Sequence, residues 1–315
     1  METPLLTTYV SSCDDIPQLI ESGIRHLILE DSKLSIRSFS DDFHTQSFEK
    51  LGQLAETARH HLDAIELSVN CDMVFHRHHE NLLFSLIESL KQYKLYTIRV
   101  QDPGLGLFFN TFFSEATCHL HLDPGNQNPL SYSSYSRYFS HQFLGNELPF
   151  DALKVITQQK NISFDIQVHG PILIQYSHRR YLAGIDSEGN PEKLPPIHRF
   201  AEDTEYPGRK YEFVDNPHGH FMYLYFDRCL LTYIHNLLSL PLRYWIIDGR
   251  GAPLDYRLST ISAYHSEINR YNHTSHTDWA PNVDLYQKLS KQAPKPLKPG
   301  FFRVNLTDKV RESPH

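Results

Sequence analysis

Cysteine is scarce in this sequence, and no two of its cysteines stand close enough to form a CxxC pair. The four thiols, Cys13, Cys71, Cys118 and Cys229, are spread over a chain of 315 residues. A zinc site or an iron–sulfur cluster built only from them would require all of them to converge in the fold. A disulfide framework is equally unexpected, because such frameworks belong mainly to small secreted domains. We therefore expect most of these thiols to be buried and unreactive.

Long apolar runs are also absent. The sequence contains no stretch of about 18 apolar residues, which excludes an ordinary membrane-spanning helix. Its beginning, METPLLTTYVSSCDD, holds no basic region followed by an apolar core, so we expect no signal peptide and a cytoplasmic location. The HExxH and GxSxG patterns of metalloproteases and serine hydrolases are missing as well. No membrane partner is expected.

Positively charged residues are fewer than negatively charged ones. The sequence has 30 lysines and arginines and 37 acidic residues, which gives a net charge of −7. Nucleic-acid binding draws most of its affinity from neutralising phosphates, so this balance disfavours autonomous binding. A shared role within a complex stays open. The only basic run lies near the C-terminus, at Lys288, Lys291, Lys295, Lys298 and Arg303.

What the sequence does contain is an alternation of short apolar runs and longer helical patterns. In residues 47–61, for example, Leu51, Leu54 and Ala58 recur with a helical period. The predicted strands cover residues 5–10, 26–31, 64–70, 96–104, 118–123, 141–149, 163–168 and 242–250. Strands that alternate with helices favour parallel β/α units, and about eight of them predict an α/β fold of the TIM-like (β/α)8 barrel type.

Two regions interrupt this alternation of strands and helices. Residues 185–225 are rich in proline and glycine and too long for a bare loop, so we expect an inserted segment before the last strand. It should fold over the barrel mouth with strands near 209–215 and 220–226. Residues 279–315 are rich in proline and lysine, which predicts an extended C-terminal tail. The expected organisation is a barrel domain over 1–278 followed by this tail.

His169 is the first candidate for catalysis. It stands at the end of the predicted strand 163–168, where a turn through Val168 and Gly170 is expected, and barrel active sites lie at the carboxyl ends of strands. Its ordinary pKa near neutrality suits a general acid or base, or a group that orients substrate. A buried histidine that hydrogen-bonds to the next strand is the alternative.

Glu147 and Asp248 are the other catalytic candidates, because both stand at the ends of predicted strands. They could pair as acid and base or position a cation. The alternative is a structural ion pair, for instance between Asp248 and Arg250, since such networks perturb carboxylates without any catalytic role.

An anion site is predicted from the basic segment that follows His169. Arg179 and Arg180 are adjacent, and two guanidinium groups suit a carboxylate or a phosphate. Ser177 and Arg250 are candidates for the same substrate-binding or anion-binding role. The alternatives are a solvated basic turn and salt bridges from the two neighbouring arginines to the acidic inserted segment.

A metal site is considered at His119 and His121, which alternate along one strand and therefore face the same side. Together with Asp123 they would supply imidazole and carboxylate ligands. No further ligand is identified, and a polar strand end is the simpler interpretation. We expect no metal to be bound.

A family resemblance appears at Val168-His169-Gly170, followed by Ser177 and Arg179, which resemble the signature of the peptidase U32 family. Further pieces resemble family elements in the right order, namely RVQDPG at 99–104, FLGNELPFDAL at 143–153, DRCL at 227–230, WIIDGR at 245–250 and PKPLKPGFF at 294–302. Most family members carry two cysteines within the signature, where this chain has Leu173 and Arg180. Leucine cannot bind iron and arginine remains cationic, so the resemblance implies no iron–sulfur cluster on this chain.

The resemblance is to short Gram-positive members, which occur beside a longer, cysteine-bearing paralogue. Related proteins serve oxygen-independent hydroxylations of ubiquinone or of the tRNA wobble uridine, with prephenate as oxygen donor. The resemblance therefore implies a non-cluster subunit or paralogue in prephenate-dependent 5-hydroxylation of that uridine. It further implies a hetero-oligomer with a cysteine-bearing U32 paralogue, with tRNA reached through the complex. The alternatives are a collagenase-type peptidase, as the family name states, and a catalytically degenerate binding protein.

Overall fold

The computed structural model describes residues 3–37, 47–123, 126–186, 196–274 and 279–302, with the side chains of 184–186 left aside. Eight parallel strands form the centre of the fold. They are β1 (Leu5–Val10), β2 (His26–Leu29), β3 (Glu66–Cys71), β4 (Thr97–Val100), β5 (Thr117–Leu120), β6 (His141–Leu144), β7 (Ser163–Ser177) and β11 (Leu242–Ile247). Each predicted strand segment overlaps one of them, although β7 is much longer than predicted.

The strands close into a barrel. Neighbours pair in chain order from β1 to β7, and β11 then pairs in parallel with both β7 and β1. The closing contacts place Leu242 beside Phe164 and Leu5 beside Tyr244. The α/β TIM-like barrel that the sequence predicts is confirmed. No helix in the described ranges is long and apolar enough to cross a membrane.

Ten α-helices accompany the strands in the part of the chain that the structure describes. They are α1 (Ile16–Glu21), α2 (Glu49–His61), α3 (Glu80–Gln92), α4 (Pro103–Phe112), α5 (Pro129–Tyr135), α6 (Phe150–Ile156), α7 (Tyr181–Asp186), α8 (Ile234–Leu238), α9 (Leu254–His273) and α10 (Val283–Gln292). Alternation along the strands explains the packing, because Leu27 and Leu29 join the main core whereas Ile28 points into the barrel. Helix α2 covers that core with the face that carries Leu51 and Leu54.

The inserted segment is a small antiparallel sheet built on an extension of β7. The expected turn at Val168–Gly170 is wrong, because β7 continues beyond the barrel to Ser177. Its extension pairs with β10 (Gly219–Cys229), which pairs with β9 (Lys210–Asn216), which pairs with β8 (Ile197–Glu202). The two strands expected in this segment are thus confirmed. Gly170 permits the continuation, since its φ of +115° lies in a region that favours glycine.

The C-terminal tail is only partly extended. Residues 283–292 form α10, because the Asn282 side chain caps its first turn and the prolines follow the helix. Leu289 on this helix is buried in the main core. After α10 the chain runs without a helix to Phe302, and β12 (Leu297–Lys298) pairs with β10. The remainder of the predicted tail, residues 303–315, lies outside the described residues.

Candidate functional site at the barrel mouth

Buried charge is concentrated at the carboxyl ends of the barrel strands and in the barrel interior. The ionisable residues buried there include Glu30, Arg37, Asp72, Arg99, His121, Asp123, Asp165 and Asp248. Carboxylates directly follow β2, β3 and β11, and Asp123 stands shortly after β5. Because the ends of parallel strands meet at one rim, these carboxylates lie together although they are far apart in sequence.

Arg250 is held by two of these carboxylates. Its Nε and Nη2 donate to Oδ1 and Oδ2 of Asp248 at 2.9 and 2.6 Å, and its Nη1 donates to Oε1 of Glu30 at 3.1 Å. The guanidinium carbon lies 3.7 Å from the centre of the Tyr9 ring. Burial opposes ionisation of Asp248, but the charge and hydrogen bonds of Arg250, together with the charge of Arg37, outweigh it and lower the pKa of this carboxyl. Asp248 and Arg250 therefore form a structural ion pair, which is the alternative to a catalytic role for Asp248.

Arg37 makes a second buried arrangement on the other side of the mouth. Its Nη1 lies 3.2 Å from Oδ2 of Asp123, its Nε 3.6 Å from Oδ2 of Asp72, and its Nη2 3.3 Å from Nε2 of His121. None of Arg37, Asp72 or Glu30 was singled out from the sequence. A carboxylate at or just after the end of several predicted strands was the signal that could have found this rim.

The metal-site hypothesis gains no support from this geometry. His121 and Asp123 both contact Arg37, and His121 also contacts Arg99 through its other ring nitrogen. Burial, then Arg99 and Arg37, lower the pKa of His121, and neighbouring guanidinium groups would repel a cation. His119 stacks on His141 with 4.1 Å between ring centres. Within the described ranges no group of three or more His, Cys, Asp or Glu residues could hold a metal ion.

His169 is a buried, neutral imidazole at the point where β7 leaves the barrel. It is 2% exposed, and its neighbours in the sheet are Ile247 and Cys229. Its Nε2 lies 2.9 Å from the Tyr256 hydroxyl, and its Nδ1 has no hydrogen-bond partner among the described residues. Burial lowers its pKa to about 3, so at neutral pH it can share a hydrogen bond but carries no charge.

This burial predicts a specific pH dependence. The pKa of His169 is lower in the folded state than the ordinary value of 6.5. As the pH falls below 6.5, the unfolded chain binds the proton first, so folding stability is lost until the pH nears the folded pKa. At pH 5 the His169 contribution amounts to a loss of about 2 kcal/mol relative to pH 7.5. Urea unfolding at both pH values should show a loss that is about 2 kcal/mol larger in wild type than in His169→Gln, because the other buried histidines contribute to both proteins alike.

His61 is exposed, so the variant His61→Gln serves as the control, and the pH dependence of its unfolding should match that of wild type. Burial also raises the pKa of Glu30 and Asp123, which acts in the opposite sense at lower pH. Both carboxylates are present in all three proteins, so their contribution cancels in the comparison. An equal pH dependence in wild type and His169→Gln would contradict the assignment of His169 as a neutral buried group.

Glu147 lies in the loop between β6 and α6 and is not the partner of Asp248. It is half-buried, its Oε2 has no hydrogen-bond partner among the described residues, and burial followed by Asp123 raises its pKa. Nearby, Nη1 of the fully buried Arg228 donates to Oδ1 of Asn146 at 2.6 Å. Burial lowers the pKa of Arg228 to about 10. Arg228 belongs to the inserted sheet, and sequence reasoning did not select it.

The predicted anion site is divided between two places. Ser177 pairs with His220 at the far end of β7, eight residues beyond His169, or roughly 25 Å along an extended strand. The Ser177 hydroxyl donates to the Tyr181 hydroxyl at 3.2 Å and accepts from the Arg179 backbone at 3.2 Å. Arg179 is exposed and Arg180 is half-buried beside it. Arg250, by contrast, remains at the barrel mouth.

Comparison with known proteins assigns this arrangement to a family. A sequence model described as peptidase family U32 matches residues 11–312. The chain belongs to the U32 family. It is similar to tRNA hydroxylation protein P2 of Bacillus subtilis (strain 168), with 20% identity over 318 residues that cover 96% of this chain and 98% of that protein.

Solved structures show more distant similarity to this U32 protein. The U32 peptidase Mk0906 gives a TM-score of 0.43 at 10% identity, over 54% of this chain and 70% of that chain. The tryptophan synthase alpha chain of Legionella pneumophila subsp. pneumophila gives a TM-score of 0.47 at 8% identity, over 86% and 94%. The barrel assignment depends on the strand order described above.

The positions of the U32 signature cysteines do not fit an iron–sulfur cluster in this chain. Leu173 is 2% exposed and packs in a small apolar cluster with Phe221 and Tyr223, and Arg180 stands seven residues further along. Cys229 lies opposite His169, where burial raises its thiol pKa to about 11 and favours the protonated form. One protonated thiol, a leucine and an arginine do not make a cluster ligand set.

Proposed function

We propose that this U32 protein is a subunit or paralogue, without a cluster of its own, in prephenate-dependent 5-hydroxylation of the tRNA wobble uridine. The observation that carries the proposal is the nearly full-length similarity to a protein named for tRNA hydroxylation. Because the similarity covers 96% of this chain, it includes the barrel and the inserted sheet. Such a role places the protein in the cytoplasm with tRNA.

The redox step belongs, in this proposal, to a cysteine-bearing U32 paralogue that forms a hetero-oligomer with this chain. Leu173 and Arg180 supply no thiolate, and the Cys229 thiol is buried with a raised pKa. The net charge of −7 also favours tRNA binding through the complex over binding by this chain alone. We accordingly assign no cofactor to this chain.

The geometry does not favour peptide hydrolysis. A serine nucleophile needs a base within hydrogen-bond reach, but the Ser177 hydroxyl donates to Tyr181 and stands far from His169. A cysteine nucleophile needs a lowered pKa, whereas burial raises the thiol pKa of Cys71, Cys118 and Cys229.

The test is mass spectrometry of tRNA nucleosides from a strain that lacks this gene, grown without oxygen and without redundant hydroxylases. We expect 5-hydroxyuridine derivatives to be lost or strongly reduced, and to be restored by the wild-type gene. The Cys229→Ala variant should restore them as well, since this thiol is assigned no ligand role, with Cys13→Ala as the matched control.

Two results would contradict this function. Unchanged hydroxyuridine levels in the deletion strain would remove the protein from the pathway. Stoichiometric iron in the purified chain, lost in Cys229→Ala, would show that the chain carries a cluster itself. Copurification with the cysteine-bearing paralogue, with iron only in the complex, is the expected result.

A further inference from the structure

Helices α3 and α4 carry an aromatic cluster on the outside of the barrel. Phe84, Phe108 and Phe112 contact one another there, with ring centres 4.7 to 5.6 Å apart. Phe84 is 39% exposed, Phe112 51%, and Leu107 on α4 45%. Large apolar side chains that cluster in water, unlike single ones, mark binding surfaces. We call Phe84, Leu107, Phe108 and Phe112 the α3–α4 face.

A groove of about 370 Å³ runs along this face between the two helices. Phe75 and Leu83 line it from the α3 side, and Gly104, Phe108 and Phe112 line it from α4. Gly104 and Phe112 are separated by about 12 Å of helix. Because aromatic and aliphatic side chains form most of its wall, the groove suits the apolar side chains of another protein.

The α4 side of this face is free of charge. From Pro103 to Ser136 only Glu115 and Asp123 are charged, although charged residues make up 21% of the chain. Asp123 is buried and paired with Arg37, so it contributes nothing to the surface. Depletion of charged residues together with enrichment of aromatic ones is the composition of an interface core.

Charged residues that line the groove stand at one end of it. Arg77 and Glu80 lie at the start of α3, and Asp102 caps the start of α4. Their signs are mixed, as is usual at the rim of an interface. The centre of α4 therefore meets a partner through uncharged side chains.

The α3–α4 face lies on the opposite side of the barrel from the inserted sheet. Helices α3 and α4 follow β3 and β4, and β3 is four positions from β7 in the closed ring of eight strands. The inserted sheet continues from β7. A protein bound to the α3–α4 face thus leaves the barrel mouth and the inserted sheet accessible.

We propose that the α3–α4 face binds the same face of a second copy of this chain, with the two α4 helices antiparallel across a two-fold axis near Leu107. In such a contact each residue beside the axis meets its own counterpart, so a charge there would repel its equal. Two chains with a net charge of −7 repel each other overall. An uncharged apolar face is the kind of surface on which they associate.

The shape of α4 suits this arrangement. Gly104, Leu107 and Thr111 are its outermost residues, because Phe109 is buried on the opposite side of the helix. About an axis near Leu107, Gly104 of one copy faces Thr111 of the other, and the two Leu107 side chains pack together. Gly104 has no side chain, so the helices approach closely. Phe112 at one end of α4 then reaches the groove beside Gly104 of the second copy.

The size of the contact predicts its strength. Helices α3 and α4 have 13 and 10 residues, which correspond to lengths of about 20 and 15 Å. Two helices from each copy give an interface near the lower limit for specific complexes, about 1,200 Å² in total. We therefore expect a dimer that dissociates on dilution.

Sedimentation equilibrium of the full chain over a wide range of concentrations is the test. The mass should rise from the monomer value of 36.7 kDa toward twice that value. Leu107→Lys places equal charges beside the axis and should weaken association by about tenfold or more. Lysine is a good helix former, and the urea midpoint shows that the variant is folded. The matched control is Val155→Lys on α6, since Val155 is 59% exposed, and it should associate as wild type.

A charge exchange separates a second copy from any other partner. Leu107→Glu alone should also remain monomeric, whereas an equal mixture of Leu107→Lys and Leu107→Glu should associate again, because opposite charges then meet at the axis. The proposal is overturned by a monomeric wild type at every concentration, by equal association of Leu107→Lys and Val155→Lys, or by a mixture that stays monomeric. Copurification of the cysteine-bearing paralogue with a monomeric wild type, lost in Leu107→Lys, would assign the face to that paralogue instead.

This inference goes beyond the proposed function and does not depend on it. Self-association is measured on the purified chain, and hydroxyuridine is measured in the deletion strain. Each result therefore supports or overturns its own proposal.

Discussion

Replacing Arg250 with methionine is expected to lower the free energy of unfolding by about 3–5 kcal/mol, the range for breaking a buried ion pair by removing one partner. The side chains of Arg250, Asp248 and Glu30 are all less than a tenth exposed. Methionine fills much of the space but removes the ion-pair partner of both buried carboxylates. The pKa of Asp248 should then rise, because burial raises it and, of the charges that lower it, Arg37 alone remains.

Urea unfolding measures this effect, and two further variants define its cause. Arg250→Lys retains the charge but loses the bidentate geometry, so an intermediate loss is expected. Arg243→Met removes an arginine whose ion pair with Glu66 is more than a third exposed, and should cost less than about 1 kcal/mol. Similar losses in Arg250→Met and Arg243→Met would show that Arg250 is not a structural centre of the mouth, and would restore it as a candidate for anion binding.

Replacing Gly170 with alanine is expected to be at least as damaging, with a loss of about 3–5 kcal/mol from combined strain and steric overlap. Gly170 has φ of +115°, and an added Cβ would overlap the backbone oxygen of Asp248. The same two strands are joined at this point by the Asp248 N–H, which donates to the His169 carbonyl at 2.9 Å. Relief of the overlap would have to separate β7 from β11 where the barrel closes.

The matched control is Gly208→Ala. Gly208 also has positive φ, +91°, but an added Cβ there meets no atom within 4 Å. Its cost should be limited to backbone strain of about 1–2 kcal/mol. Urea midpoints and soluble yields of the two variants give the difference that is due to overlap. Equal effects at Gly170 and Gly208 would refute the idea that β7 must pass this close to β11.

The local sequence pattern was sufficient to predict the barrel strands. Each is a short apolar run between helical patterns, and buried parallel strands require such runs because both of their faces are covered. The same reasoning failed at α10, where proline and lysine content outweighed the local signals of Asn282 and Leu289. It also failed at Gly170, because a glycine that ends a strand and a glycine that lets a strand continue look alike in sequence.

Strand-end position brought attention to His169 and Asp248, which are neighbours across β7 and β11. It could not pair Arg37 with Asp123, since these residues are 86 positions apart and meet only when the barrel closes. Nor could it separate Ser177 from His169, because that distance depends on β7 running straight into the inserted sheet.

The sequence by itself determined the strand order, the position of the insertion and the absence of thiols at the two U32 signature positions. These features are local, because they depend only on the residue types present and on the spacing of apolar residues along the chain. Tertiary structure alone decided that Arg250 and Arg37 are held by carboxylates and that His169 is neutral. Burial and ion pairing are properties of a closed barrel, because they depend on the groups that distant segments bring within a few ångströms.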